Sequence, residues 1–345
     1  MNAAVSVREF GRMPDGRTVH EYTLDNGRGL RLCALDYGGI VTQIWTPDAQ
    51  GRSANIALGF ERFEDYLERN PYFGVIAGRY ANRIAGARFR LDEHRYFVDA
   101  NDRGNCLHGG RAGFGRQLWR AEPRQGAGEA VSLRLSRVSE DGEMGFPGRL
   151  EVQLRYTLGA DDNSWRVDYE ARTDRPTVCN LTSHVYFNLA GGGSALGHGL
   201  QLPASRYTEV DERGIPLGHE SVEGTRYDFR RMRPVAEAVF DHNWLLDHPL
   251  DGRLHAAAHL RCAASGREMS VLTTEPCVQF YAGQSLDGSL VGHDGQRYAQ
   301  GAGLCLETQH APDSPNHAPG PDWPSTVLRP GEVYRSSTVH RFSVF

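Results

Sequence analysis

Val152-Gln153-Leu154-Arg155-Tyr156-Thr157-Leu158 alternates apolar and polar residues without a break, the period of a β-strand with one buried face. The pattern recurs outward in both directions, in Val131-Ser132-Leu133-Arg134-Leu135, in 165–169, in Leu30-Arg31-Leu32-Cys33-Ala34-Leu35 and in 40–45. Turn-forming clusters separate these runs: Asp25-Asn26-Gly27, Asp141-Gly142 and Ala160-Asp161-Asp162-Asn163. The best helical stretch, 62–69, is about two turns long. No strand–helix alternation runs far enough for a parallel sheet. The reading is all-β, a large antiparallel β-sandwich in a single domain over 1–345. The Pro-rich stretch 311–324 is read as a rigid loop beside a site.

Composition narrows function by exclusion. All 38 cationic residues are arginine. Without a lysine amine the chain cannot run Schiff-base aldolase, pyridoxal or P-loop nucleotide chemistry. A net charge of -5 gives no basic footprint for nucleic acid and no membrane anchor. The six cysteines are scattered with no C-x-x-C pair, so they are read as free thiols in a reducing, cytoplasmic setting, with no metal-ligand spacing and no cofactor.

Three polar islands interrupt the strand-like runs: Cys106-Leu107-His108-Gly109-Gly110, 180–189 around His184, and Leu304-Cys305-Leu306-Glu307-Thr308-Gln309-His310. Two imidazoles and a carboxylate set among apolar or turn residues suggest an acid–base site, because burying such groups is costly unless they are paired or used. Each also has a plainer reading. His108 fits a surface turn, and His184 fits a satisfied core histidine sharing a strand face with Tyr186 and Asn188. Glu307 fits an ion pair with Arg79 or Arg83, and Asp241 a loop cap. Residue types also allow a glycosidase pairing Glu307 with Asp241 or Asp313.

At Gly78-Arg79-Tyr80-Ala81-Asn82-Arg83-Ile84-Ala85-Gly86, Asn105 to Gly110, Gly145-Phe146-Pro147-Gly148, Asn180 to Gly191, Tyr227-Asp228-Phe229-Arg230, Asp241-His242-Asn243 and Leu306-Glu307-Thr308-Gln309-His310, the chain resembles the aldose 1-epimerase (galactose mutarotase) family. The motifs stand in family order over essentially the whole length. The resemblance implies a large β-sandwich and an isomerase that interconverts the α and β anomers of a free aldose, with no cofactor. It implies Glu307 as base, His184 as acid and His108 as a second site histidine. It places Arg79, Asn82, Asp241 and Gln279 on the sugar. Ser183 and Gly115-Arg116 depart from the family pattern, and Ser183 adjoins the acid.

Reference values of about 4.3 for Glu and 6.5 for His lead to the expectation of an ionised Glu307–His184 pair. The partner implied is a small aldose, glucose or galactose in type, bound by a monomer or homodimer. A sugar-binding module without turnover, a glycoside-active enzyme and a phosphosugar mutarotase are the competing readings.

Overall fold

The computed structural model describes residues 3–125 and 130–345. The alternation read from sequence is realised as burial: along Leu150–Leu158, residues from Leu150 to Tyr156 are alternately buried and exposed. Leu150–Leu158 lies inside a nine-stranded sheet ordered Arg120–Arg124, Ser132–Ser139, Leu150–Leu158, Ser164–Thr173, Tyr334–Val344, Arg267–Thr273, His255–Cys262, Gly199–Gln201, Arg233–Pro234. A six-stranded sheet runs Tyr186–Phe187, Leu304–Gln309, Cys277–Tyr281, Asp241–Leu245, Arg206–Val210, Pro216–Ser221. A five-stranded sheet covers Ala4 to Asn55 in chain order. The ladders of all three are antiparallel.

The three sheets pool their apolar faces. One cluster contains Leu24, Leu32 and Ile44 from the five-stranded sheet, Leu133, Leu154, Val167 and Val271 from the nine-stranded sheet, and Trp244, Phe280, Leu304 and Leu306 from the six-stranded sheet. Each buried Leu, Ile or Phe contributes about 1.5–3 kcal/mol by leaving water. The protein is therefore a β-sandwich, as the alternation indicated. The helix read at 62–69 is present as Phe63–Glu68, anchored by buried Phe63 and Tyr66.

The six-stranded sheet keeps its apolar side for that cluster and turns the other toward a cleft. Pairing is Gln279↔Glu307 and Asn243↔Gln279, flanked by Asp241↔Tyr281, Tyr281↔Cys305 and Tyr186↔Cys305. Directly paired residues share a face, so this register sets Asp241, Gln279, Tyr281, Cys305 and Glu307 side by side. Leu304, Leu306 and Phe280 point the opposite way.

Two turns close over this face, one carrying His108 and the other Tyr72. His108 adopts φ 50°, followed by Gly109 at 84° and Gly110 at 97°, left-handed values that glycine accepts without strain. A Cβ on Gly109 would stand 1.9 Å from the Gly78 carbonyl oxygen. Gly109→Ala is therefore expected to destabilise the protein by several kcal/mol and to displace His108. Urea unfolding and turnover of the variant check it; native stability would show that the turn relaxes freely.

Candidate active site

A cleft of about 380 Å³ opens at the six-stranded face, lined by Asn82, Arg83, His108, His184, Asp241, Gln279 and Glu307, with Tyr72, Tyr186 and Tyr281 as aromatic walls. The fold thus gathers all the site residues named from sequence except one. That exception is Arg79. It is only 2 % exposed and is not among the residues that line the cleft. Its guanidinium donates to the carbonyls of Pro147 and Gly148 at 2.8 Å each, to those of Ser139 and Glu140, and to Ser139 Oγ. With its donors spent on loop backbone, Arg79 has none left for a sugar, and the expectation is corrected: Arg79 is a scaffold residue. The arginine at the cleft is Arg83, four residues on, held by Asp102 at 2.8 Å.

Glu307 arises from the strand Leu304–Gln309 and is 2 % exposed. Its Oε1 lies 3.6 Å from His184 Nε2, while Oε2 has no hydrogen-bond partner among the described residues. Neither arginine weighed as its ion-pair partner forms a bridge with it. Arg83 acts only as a nearby positive charge.

His184 is not on a continuous strand as the alternation suggested. It sits in a break between Thr182–Ser183 and Tyr186–Phe187. Its N–H donates to Val75 and its carbonyl accepts from Gly74, both loop partners. The ring still lies on the Tyr186 side, stacked at 5.2 Å. Ser183 Oγ, the departure beside it, is buried without a partner among the described residues.

His108 is buried rather than at the surface, edge-on to His184 at 5.1 Å between centroids. The Asn82 N–H donates to His108 Nδ1 at 3.2 Å, so neutral His108 carries its hydrogen on Nε2. Asn82 thereby fixes a tautomer, as well as standing at the cleft. Gln279 Nε2 donates to Asp241 Oδ1 at 2.7 Å, leaving Gln279 Oε1 open. Asp313, the other carboxylate considered, is tied instead to the Ala85 N–H and Asn316, bracing the 80–85 segment against the Pro-rich loop.

Ligating atoms of His108, His184 and Glu307 lie within 4.8 Å of one another, a two-histidine, one-carboxylate set that sequence spacing did not reveal. The tautomer argues against a metal there. Binding at Nε2 would force a hydrogen onto Nδ1, against the Asn82 N–H, and Nδ1 itself is already occupied.

Electrostatics correct a second expectation. Burial pushes the Glu307 carboxyl well above its ordinary value, helped by Asp241. Burial also pulls His184 down to about 4 and lowers His108 well below its usual value. Both shifts work against charge and so favour a neutral pair, where solution values had suggested an ion pair.

The arrangement sets a carboxyl and an imidazole side by side, with donors beside them and polar groups spread for a polyol. The family model for aldose 1-epimerase matches residues 20–341. The chain is a member of the aldose 1-epimerase family. It is 40% identical to galactose mutarotase of Homo sapiens, covering 99% of each chain, and 37% identical to aldose 1-epimerase of Escherichia coli K12, covering 95% of this chain and 96% of the other. The solved galactose 1-epimerase of Lactobacillus acidophilus NCFM superposes with a TM-score of 0.86 at 26% identity, over 99% of both chains. The protein is an isomerase, an aldose 1-epimerase.

Sequence reasoning missed Arg83 as a cleft residue and Tyr72 altogether. Arg83 stood in the quoted motif, but nothing in the spacing told which arginine faces inward. Tyr72 has φ 71° and packs on both histidine rings, 4.7 Å from His108 and 5.8 Å from His184. Its one signal was the turn-like Pro71-Tyr72-Phe73-Gly74.

The two arginines should separate cleanly. Arg79→Met strands several buried carbonyls and is expected to cost about 3 kcal/mol or more. Arg83→Met is expected to cost less, because Asp102 keeps Arg103 as a second partner, and to raise KM for the sugar. Denaturant unfolding with sugar-dependent kinetics on both variants reads the contrast; a stable Arg79→Met with raised KM would restore Arg79 to the sugar.

Proposed function

We propose that this epimerase opens and recloses the ring of a free hexose of the glucose or galactose type, with Glu307 and His184 exchanging the two protons that move. The supporting observation is the 3.6 Å separation of Glu307 Oε1 and His184 Nε2 inside a cleft of sugar size. The names of its relatives, galactose mutarotase and aldose 1-epimerase, favour this substrate class.

Ring opening removes the proton of the anomeric hydroxyl and adds one to the ring oxygen. Carboxylate Glu307 takes the first and imidazolium His184 gives the second, while the C1–O5 bond breaks and C1–O1 becomes a carbonyl. The enzyme is left with neutral Glu307 and neutral His184. After rotation of the aldehyde group, Glu307 returns a proton to O1, His184 removes the one on O5, and either anomer forms.

The neutral pair favoured by burial is thus the form that matches the open-chain sugar. The ionised pair matches the ring. The two forms differ by one proton between two groups, with no change in total charge, so solvent need not take part. His108, with its hydrogen on Nε2, donates to a sugar oxygen where charge moves. Arg83, Asn82, Asp241 and Gln279 hold the remaining hydroxyls.

The same reading takes the chain as one domain, supported by a hydrophobic cluster that reaches from Tyr22 to Phe342. It takes the enzyme as a cytoplasmic monomer or homodimer. No helix among the described residues is long and apolar enough to cross a membrane, and the six cysteines are free.

Polarimetry on fresh α-D-glucose and α-D-galactose, with chelator present, tests the assignment. Decay to the same equilibrium rotation is expected to accelerate. Glu307→Gln and His184→Asn should each lose about 10²–10⁴-fold in turnover with unchanged circular dichroism. Near-native rates in either folded variant would remove that residue from the mechanism.

The pH profile carries a sign. Activity needs one proton on the pair. A second proton removes the base, so activity falls on the acid side, and that limb should lie well below 6.5 because His184 is held down, to about 4. Loss of the shared proton removes the acid, and that limb should lie well above 4.5 because Glu307 is held up. An acid limb at 6.5 in kcat/KM would show that burial does not control His184.

A further inference from the structure

One contact of His184 plays no part in these proton transfers. Its Nδ1 lies 3.6 Å from Cys305 Sγ, at the end of the ring away from the Glu307 contact, and Cys305 is fully buried. Cys305 and Glu307 stand two residues apart on the same face of Leu304–Gln309, so a single strand reaches both ring nitrogens. Tyr186 and Tyr72 stack on the ring. Stacking limits tilt but leaves rotation within the ring plane, which an in-plane partner must stop.

We propose that Cys305 is the positioning residue of His184: its sulfur holds Nδ1, leaving Nε2 as the ring nitrogen that faces Glu307 and the sugar. The inference rests on the acid–base reading of the site. Sulfur is a weak hydrogen-bond partner. It orients the imidazole without the anionic support that a carboxylate gives in a Ser-His-Asp site. An imidazolium so held gives up its proton readily, which suits a group that must protonate a weakly basic ring oxygen.

The surroundings fit this role. Burial, with the Glu307 and Asp241 carboxyls nearby, pushes the Cys305 thiol well above its ordinary value, so it stays an uncharged SH. The other titratable groups facing His184 are Glu307 from the same strand, Tyr281 from Cys277–Tyr281, and Tyr186 on its own segment. His108 and Tyr72 face it from the two turns. The fixed positive charge of Arg83 acts on His108 and Glu307. None of these supplies an anion to Nδ1.

Cys305→Ala and Cys305→Ser test it, with kcat and KM from polarimetry and with ¹⁵N spectra of the His184 ring titrated in the sugar-free protein. Cys305→Ala is expected to lower kcat about tenfold, to leave KM within about twofold, and to shift the ring nitrogens toward a tautomer mixture. Cys305→Ser restores an in-plane partner. It should recover most of kcat and move the acid limb upward, since oxygen supports the imidazolium better than sulfur. Wild-type kcat with unmoved ring signals in Cys305→Ala would overturn the proposal. A fall in kcat with native ring signals would overturn it too, by reducing the role of Cys305 to packing. The spectra need no sugar, so they decide the contact separately from the assignment of activity, which an inactive wild-type protein would overturn instead.

Discussion

The register of Leu304–Gln309 between Cys277–Tyr281 and Tyr186–Phe187 is the constraint on which the rest depends. Side chains alternate along a strand with period two, so a slip of one residue would send Glu307 and Cys305 into the core and bring Leu304 and Leu306 to the cleft. The core prevents it. Leu304, Leu306, Phe280 and Trp244 are all buried in the cluster that unites the sheets. Leu304 and Leu306 would each lose about 1.5–3 kcal/mol on facing water. The apolar residues of the strand thereby set the position of those that face the cleft, with site and core on opposite faces of one strand.

Much of the remaining polar interior keeps that face in place without touching substrate. Arg79 ties 139–140 to 147–148 by its guanidinium. Asn180 joins the 79–81 backbone to His310. Asp313 braces the 80–85 turn. Each satisfies backbone groups that would otherwise be buried unpaired at about 1–3 kcal/mol apiece. The result is a rigid cradle that presents Asn82 and Arg83 to the strand carrying Glu307. Among the buried polar atoms without a partner in the described residues, Glu307 Oε2 and Gln279 Oε1 belong to residues that line the cleft, where a polyol has hydroxyls to offer.

Burial also decides how the pair works. In water a glutamate and a histidine would sit as an ion pair over a narrow acidic range. In this cleft desolvation works against charge on both partners, lowering His184 and raising Glu307. Total charge is the same in both forms, but the ionised one carries two desolvated charges, so in the proposed mechanism a bound ring must offset that desolvation. An isomerisation that returns its catalyst unchanged needs such a balance more than it needs a strong acid or a strong base.

The alternation in Val152 to Leu158 and its counterparts determined the all-β sandwich, since period-two burial is a local property that any sheet must honour. The missing lysine determined which chemistries were closed, and the ordered motifs around His108, His184, Asp241 and Glu307 determined the family. These were legible because each depends on residue type and short spacing. Which arginine lines the cleft was not legible. Arg79 and Arg83 lie four residues apart in one motif, and only the bends of the chain send one to loop carbonyls and the other to the cleft. Tyr72 and the contact of Cys305 with His184 join segments far apart in sequence. The protonation of the acid–base pair depends on depth from solvent, a quantity that exists only once the sheets have closed over it.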